Sequence, residues 1–432
     1  MAQLVFLLIF LSAAGLFTRN ILKVRRNILL GQAADRSDQP FLRWKTMLKV
    51  ALGQSKMGKK PVAALLHLLV YAGFVIINIE VLEIAIDGIF GTHRIFATTF
   101  GSLYNVLIGT FEVLAMLVLL SCMVFLIRRN VVRLKRFSGT EMTAWPKSDA
   151  NYILLAEIFL MTAFLLMNAA DHQLQLQNNP HYIVAGAFPI SSWFSPMLLL
   201  STQNLILLER TCWWFHIIGI FAFLNYLPYS KHFHILLAFP NTYFSNLNPQ
   251  GKMNNMASVT PEVKAMIDPT FVPSSTETVL SFGAKDATDL TWKNLLDAYT
   301  CTECGRCTAV CPANLTGKLL SPRKIMMDTR DRITAIGRNL DQHDASFIDE
   351  KSLLDTYISR EEIWACTSCN ACVEACPVNI NPLEIITELR RYVVMEESKA
   401  PNSLNNMFSN LENNSAPWKY ATADRLNWTN ES

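Results

Sequence analysis

With 432 residues, 51% of them hydrophobic and only 17% charged, the chain has room for two or three domains, and its hydropathy, concentrated before about residue 240, suggests a membrane half followed by a soluble one. A formal net charge of +3 is too small to mark a nucleic-acid binder, and the basic residues fall where they report membrane topology. Of ten cysteines, eight crowd between Cys301 and Cys376, a spacing that suits metal or cluster ligation in a reducing compartment better than disulfides.

Five apolar stretches read as spanning helices: Ala2–Phe17, Pro61–Ala85, Thr98–Ile127, Tyr152–Ala170 and Thr211–Ala238. The first has no basic leader and is followed by Arg19, Lys23, Arg25 and Arg26, so it reads as a retained helix and not a cleaved signal. Residues 18–60 carry 11 Lys/Arg and residues 128–148 carry 6, whereas 88–97 has only Arg94 and 171–208 has none. The positive-inside rule then places the N-terminus outside and residue 240 onward in the cytoplasm. Ser195–Leu208 is apolar but short, and reads as an interfacial or re-entrant segment of the uncharged outer loop. Cys122 and Cys212 sit singly in apolar stretches as small buried hydrophobes.

Four of eight histidines lie in or beside these stretches: His67, His216, His232 and His234. A lone intramembrane histidine can be a hydrogen-bonded helix contact, but two at one depth from two helices are the axial pair of a b-type haem. His67, near the cytoplasmic end of the second stretch, pairs with His234 at the inner end of the fifth, with His232 as substitute. His216 and His234 are 18 residues apart, five full turns, so a continuous helix puts them on one face about 27 Å apart and His232 on nearly the opposite face. Pro228 lies between them as a candidate kink. An outer haem would use His216. The expected partner position on the second stretch reads Ile77, Asn78, Ile79, Glu80, which leaves His172 as its other candidate ligand.

The strings ALLHLLVYAGF around His67 and WWFHIIGIFAFLNYLPYSKHFHILLAFPNTYF around His216–His234 resemble the cytochrome b subunit of respiratory nitrate reductases. They resemble still more closely the membrane domain of FadF-type iron–sulfur oxidoreductases. The resemblance implies haem b and a quinone site in a bacterial cytoplasmic membrane. The chain departs from the nitrate reductase pattern by lacking the second histidine on helix two.

Residues 241–290, rich in Asn, Ser, Thr and Pro, read as a linker laid over a partner or the membrane surface. Cys301, Cys304, Cys307 and Cys311, followed by Pro312, then form a C-x2-C-x2-C-x3-C-P run, and Cys366, Cys369, Cys372 and Cys376, followed by Pro377, form a second. This is the bacterial ferredoxin run, whose fourth cysteine reaches across to the other cluster in two-cluster folds. The expected [4Fe-4S] sets are Cys301, Cys304, Cys307 with Cys376, and Cys366, Cys369, Cys372 with Cys311. Zinc is the rival occupant of such thiolate quartets. Between the runs, SPRKIMMDTRDRITAIG and DEKSLLDTYIS look helical, with Ser321 and Asp349 as N-caps.

TWKNLLDAYTCTECGRC and IWACTSCNACVEACPVNINPLEIITELRRYVV resemble the α-helical ferredoxin of succinate dehydrogenase iron–sulfur subunits and heterodisulfide reductases. NMFSNLENNSAPWKYATADRLNW resembles the segment preceding CCG cysteine-rich domains in FadF-like and heterodisulfide reductase-like proteins, and no CCG motif follows it. That resemblance implies a CCG-domain subunit as a separate partner. The expected fold is therefore all-α: a five-helix transmembrane cytochrome b-type bundle (1–240), a linker (241–290), an α-helical two-cluster ferredoxin domain (291–396) and a partner-binding tail (397–432).

No nucleotide-binding Gly-rich loop or hydrolytic triad is apparent. The leading expectation is electron transfer between a cytoplasmic partner (electron-transfer flavoprotein or the CCG subunit) and the quinone pool, through two clusters and haem b. Two rivals stand beside it: the membrane arm of a thiol or heterodisulfide reductase, and a cluster-based sensor or anchor without sustained flux.

Overall fold

Five long apolar helices stand side by side: α1 (Ala2–Ile28), α2 (Pro61–Phe90), α3 (Ser102–Leu126), α4 (Ala144–Leu176) and α5 (Thr202–Tyr226). The computed structural model describes residues 1–256, 259–272, 282–343 and 347–430. Among them these five helices are long and apolar enough to cross a membrane, and there are no strands beyond two isolated bridges. The molecule is an all-α, multi-pass membrane protein. The bundle core is built from Phe6, Ile77, Tyr104, Phe111, Phe164 and Ile217, contributed by all five helices. Local chemistry sets the ends. Pro61 opens α2, where its missing N–H costs nothing, and Gly91 at φ 74° closes it, donating its N–H to the Asp87 carbonyl at 2.8 Å.

Two expectations about these helices are corrected. Thr202–Leu208 forms the first turns of α5, with Ser201 as N-cap, so of that stretch only Ser195–Met197, a 3-10 turn, keeps a short structure of its own in the α4–α5 loop. The fifth helix, read as continuous to Ala238, stops at Tyr226. Pro228 cannot donate to the turn behind it, and Ser230 is extended (φ −109°, ψ 152°). Two 3-10 turns follow before α6 (His234–Tyr243) resumes. The five-turn phase argument for His216 and His234 therefore fails.

The C-terminal half packs α7 (Trp292–Thr300), α8 (Pro322–Gln342), α9 (Arg360–Ala365) and α10 (Pro382–Met395) around Leu295, Ile325, Ile333, Ile363 and Leu389. Ser321 caps α8 as expected, accepting the Lys324 N–H. Asp349 does not cap a helix. It accepts both ends of the Arg332 guanidinium, and the segment after it is broken by Asp355 at φ 70°. The stretch 241–290 holds the end of α6 and a short helix at Thr260–Ile267, and its last residues enter the C-terminal core through Ala284, Ala287 and Leu290. α11 (Asn402–Asn414) buries none of its residues.

The two halves meet through the C-terminal core. Val24 and Ile28 of α1 and Leu227 and Phe233 of the broken hinge are part of the C-terminal cluster. α1 therefore runs eleven residues past Phe17 as a shaft into the second half, where Asn27 donates to the Tyr299 hydroxyl at 3.0 Å and Arg26 and Lys23 pair with Asp341. Arg323, 1% exposed, bridges back to Glu141 of the α3–α4 loop at 2.7 Å and to the Arg136 carbonyl at 2.6 Å. Both basic loops thus touch the cysteine-bearing half. Substituting Glu141→Ala leaves a buried guanidinium without its carboxylate, a loss of about 3–5 kcal/mol. Limited proteolysis should then cut the 128–148 loop much faster than in wild type, while the five-helix bundle stays intact.

Candidate functional site

The two cysteine runs are structural copies offset by 65 residues. Each follows a short helix with a reciprocal N-terminal cap, Thr291 with Asn294 on α7 and Ser359 with Glu362 on α9. Each helix ends on the first cysteine in the same extended conformation, Cys301 at φ −63°, ψ 119° and Cys366 at φ −70°, ψ 129°. Left-handed residues then recur at matching positions, Glu303 and Gly305 in one loop, Ser368 and Asn370 in the other. These left-handed residues give the two cysteine loops the same backbone course. Cys311 (φ −71°, ψ 119°) and Cys376 (φ −73°, ψ 124°) close the copies.

Each fourth cysteine stands within electrostatic reach of the other run, Cys311 of Cys366 and Cys372, and Cys376 of Cys304 and Cys307. All eight are free thiols. Four thiolates to a site is the donor set a [4Fe-4S] cubane takes, one at each of its corners. Burial pushes the thiols of Cys301, Cys372 and Cys376 up to about 12, so binding iron must displace their protons. Backbone N–H groups of Ile380 and Ser368 already point at the sulfurs of Cys376 (3.3 Å) and Cys366 (3.4 Å). Such bonds stabilise the added negative charge of a reduced cluster.

The two loops differ in exposure. Cys369 faces solvent, whereas the first loop lies under the membrane half. There Arg306 donates to the Lys56 carbonyl at 3.3 Å, and Glu303 accepts Lys231 and, at 2.8 Å, Arg330. Burial alone would raise the Glu303 carboxyl, but the Arg330 and Lys231 cations outweigh it and hold it below the usual range.

The membrane histidines divide into two groups. His67 and His234 face each other with ring centroids 6.4 Å apart and planes at 45°. Two imidazoles on opposite sides of one iron stand about 6.3 Å apart, twice a ~2.0 Å bond plus twice the ~1.15 Å from ring nitrogen to centroid. Each donates its Nδ1–H to a fixed acceptor, His67 to Gln54 Oε1 at 3.1 Å and His234 to the Lys231 carbonyl at 3.0 Å, which leaves Nε2 as the lone-pair nitrogen. The donor set therefore fits an axial pair. His232 is not on the far face: the hinge brings its ring within 5.6 Å of His234, where its Nε2 is buried without a hydrogen-bond partner.

His216 stays apart on α5, its Nδ1 held by the Leu160 carbonyl at 3.0 Å and its ring against Phe164. His172 bonds Ser195 Oγ at 2.9 Å and packs on Phe188. Sequence reading missed Gln54, whose grip on His67 depends on a left-handed backbone (φ 47°). It also passed over the acidic stripe Glu80, Glu83, Asp87, although carboxylates spaced i, i+3, i+7 in an apolar helix are a visible signal.

Gly305 and Asn370 occupy equivalent left-handed positions but different surroundings. A Cβ at Gly305 would lie 2.7 Å from Arg323 Nη1 and 2.9 Å from the Arg136 carbonyl. Gly305→Ala should therefore damage the first cysteine site and lower iron content by about half, while Asn370→Gly keeps full loading. Iron and sulfide analysis of the two purified variants separates these outcomes.

Comparison with known proteins agrees with the geometry. A 4Fe-4S dicluster domain model matches residues 300–380, which hold all eight cysteines. The probable iron–sulfur-binding oxidoreductase FadF of Bacillus subtilis is 27% identical over 99% of this chain and 61% of its own length. The EtfAB:quinone oxidoreductase of Syntrophomonas wolfei is 27% identical over 88% of this chain and 53% of its own. A CoB-CoM heterodisulfide reductase subunit of Methanosarcina acetivorans is 33% identical over 24% of the chain and 52% of its own. The chain thus spans about three fifths or less of the length of these curated relatives, and no solved structure matches it. It is a multi-pass, all-α membrane protein with a 4Fe-4S dicluster domain, similar over nearly its whole length to the FadF-like iron–sulfur oxidoreductases.

Proposed function

We propose that this protein is the membrane electron-transfer subunit of a quinone-linked oxidoreductase, passing electrons between a cytoplasmic redox partner and the quinone pool. The observation that carries the reading is the His67–His234 pair, set at the spacing of a bis-histidine iron site. It lies three residues along the chain from Lys231, which is salt-bridged to the first cysteine loop. When bound, two [4Fe-4S] clusters and one haem b supply the one-electron carriers that the polypeptide lacks. Cys301, Cys304, Cys307 and Cys376 hold the cluster nearer the membrane; Cys366, Cys369, Cys372 and Cys311 hold the one nearer solvent. His67 and His234 hold the haem.

The chain's own groups do the rest. Exposed Cys369 marks the side where a partner protein docks, and the Lys231–Glu303–Arg330 bridge keeps the inner loop against the histidine hinge. The basic loops on this side orient it to the cytoplasm, with the N-terminus outside. The partner is an electron-transfer flavoprotein or a CCG-domain subunit; the name of one relative, EtfAB:quinone oxidoreductase, supports the flavoprotein and the quinone. Similarity to heterodisulfide reductase subunits favours a second reading, the membrane arm of a thiol or disulfide reductase. Reduction of the purified complex by acyl-CoA plus flavoprotein, against reduction by thiols, decides between them.

Purified protein should hold about eight iron atoms in its clusters, two cubanes of four. His67→Ala and His234→Ala should each abolish the reduced-minus-oxidised haem b bands and leave those clusters in place. His232→Ala should keep the haem. Equal haem content in wild type and His67→Ala would refute the assignment, as would stoichiometric zinc without a cluster EPR signal.

A further inference from the structure

The end of the bundle remote from the cysteines carries a second polar site. Glu80 lies thirteen residues beyond His67 on α2, a rise of about 20 Å. Within electrostatic reach of it stand Glu83 of its own helix, Arg94 of the following loop, Glu112 of α3 and Asp171 of α4. Arg94 is the cation among them, and its hydrogen bonds go to Asp171 (2.6 Å), Asn168 (2.9 Å) and the Tyr104 hydroxyl (3.2 Å). Glu83 accepts from the Tyr104 hydroxyl and the Phe96 N–H, both at 2.8 Å. Glu112 accepts from Asn168 (3.1 Å) and the Ile190 and Ser191 N–H groups (2.9 and 3.1 Å). Glu80 is the exception: it is 3% exposed, and its Oε2 is buried with no hydrogen-bond partner.

We propose that Glu80 is a proton-carrying carboxyl, the exchangeable member of a proton site at the outer end of the bundle. Three neighbouring carboxylates have fixed donors, and the one guanidinium directs its hydrogen bonds to Asp171, Asn168 and Tyr104, away from Glu80. A carboxylate without a donor inside the membrane is costly, whereas the neutral acid asks only for an acceptor, and three acidic groups surround it. Buried, acid-rich and linked by hydroxyl and amide groups, the site takes up and gives back protons where electron carriers held at the other end cannot. Resting on the quinone reading above, its use follows from stoichiometry: a quinone that accepts two electrons must also accept two protons to leave as quinol, and the reverse reaction releases them.

Dicyclohexylcarbodiimide adds to protonated carboxyls in apolar surroundings and leaves a stable N-acylurea. Full-length protein in nanodiscs should acquire this adduct on Glu80, located by peptide mass spectrometry, and Glu80→Gln should not. Quinone-dependent reoxidation of dithionite-reduced protein should slow about a hundredfold in Glu80→Gln, the low end of what a positioned proton donor contributes, and recover in Glu80→Asp. The reduced spectrum should be the same in all three. Absence of an adduct on wild-type Glu80, or reoxidation unchanged by Glu80→Gln, overturns the proposal. The adduct forms without quinone, so a wild-type protein that is labelled on Glu80 but never reoxidised by quinone would refute the quinone reading and leave the proton site standing.

Discussion

Glu303 is held by Lys231 on one side and Arg330 on the other, and this bridge fixes how the two halves meet. Lys231 belongs to the hinge after α5; Arg330 belongs to α8; Glu303 sits inside the first cysteine loop. Asp149 at the start of α4 completes the set by accepting the hydroxyls of Tyr226 and Ser230 and the Lys231 N–H. Buried ions attract one another strongly but lose hydration, so such a bridge earns little net stability. What it supplies is register. A small slide of one half on the other would strand several buried charges at once, and that penalty pins the sulfur loop beneath the histidine hinge.

The hinge itself depends on a helix that ends early. Had α5 continued past Tyr226, His232 and His234 would have pointed to opposite sides of one cylinder. Pro228 and the extended Ser230 redirect the chain, so both rings lie on the same side, and His234 reaches His67 from a separate short helix. The same break frees Leu227 and Phe233 to enter the C-terminal core. One interruption thus serves histidine placement and domain docking together.

Much of this was legible beforehand. Apolar runs of membrane length and the two cysteine runs followed by proline are local patterns, and the chain folds as they indicate. The capping residue Ser321 was equally local. What could not be read depends on contacts between distant segments. Asp349 is drawn to Arg332 across 17 residues and is thereby lost as a cap. Gln54 meets His67 through a left-handed turn that no side-chain pattern announces. The phase relation of His216 and His234 assumed an unbroken helix, and the proline that breaks it gave its position but not the new direction of the chain.

The distribution of polar groups along the bundle has a physical logic. A spanning helix tolerates a charged side chain only where a partner or a function holds it. Here the end next to the cysteines places imidazoles beside a thiol-rich domain, groups suited to binding metal, whereas the far end gathers carboxylates around Arg94, groups suited to holding protons. Between them α2 presents Ile77 to a packed core containing Phe111, Phe164 and Ile217. A proton cannot cross such an apolar interval without a continuous chain of hydrogen-bonding groups. Under the two assignments proposed above, the packing keeps the site for electrons and the site for protons at opposite ends of the bundle, with an apolar interval between them.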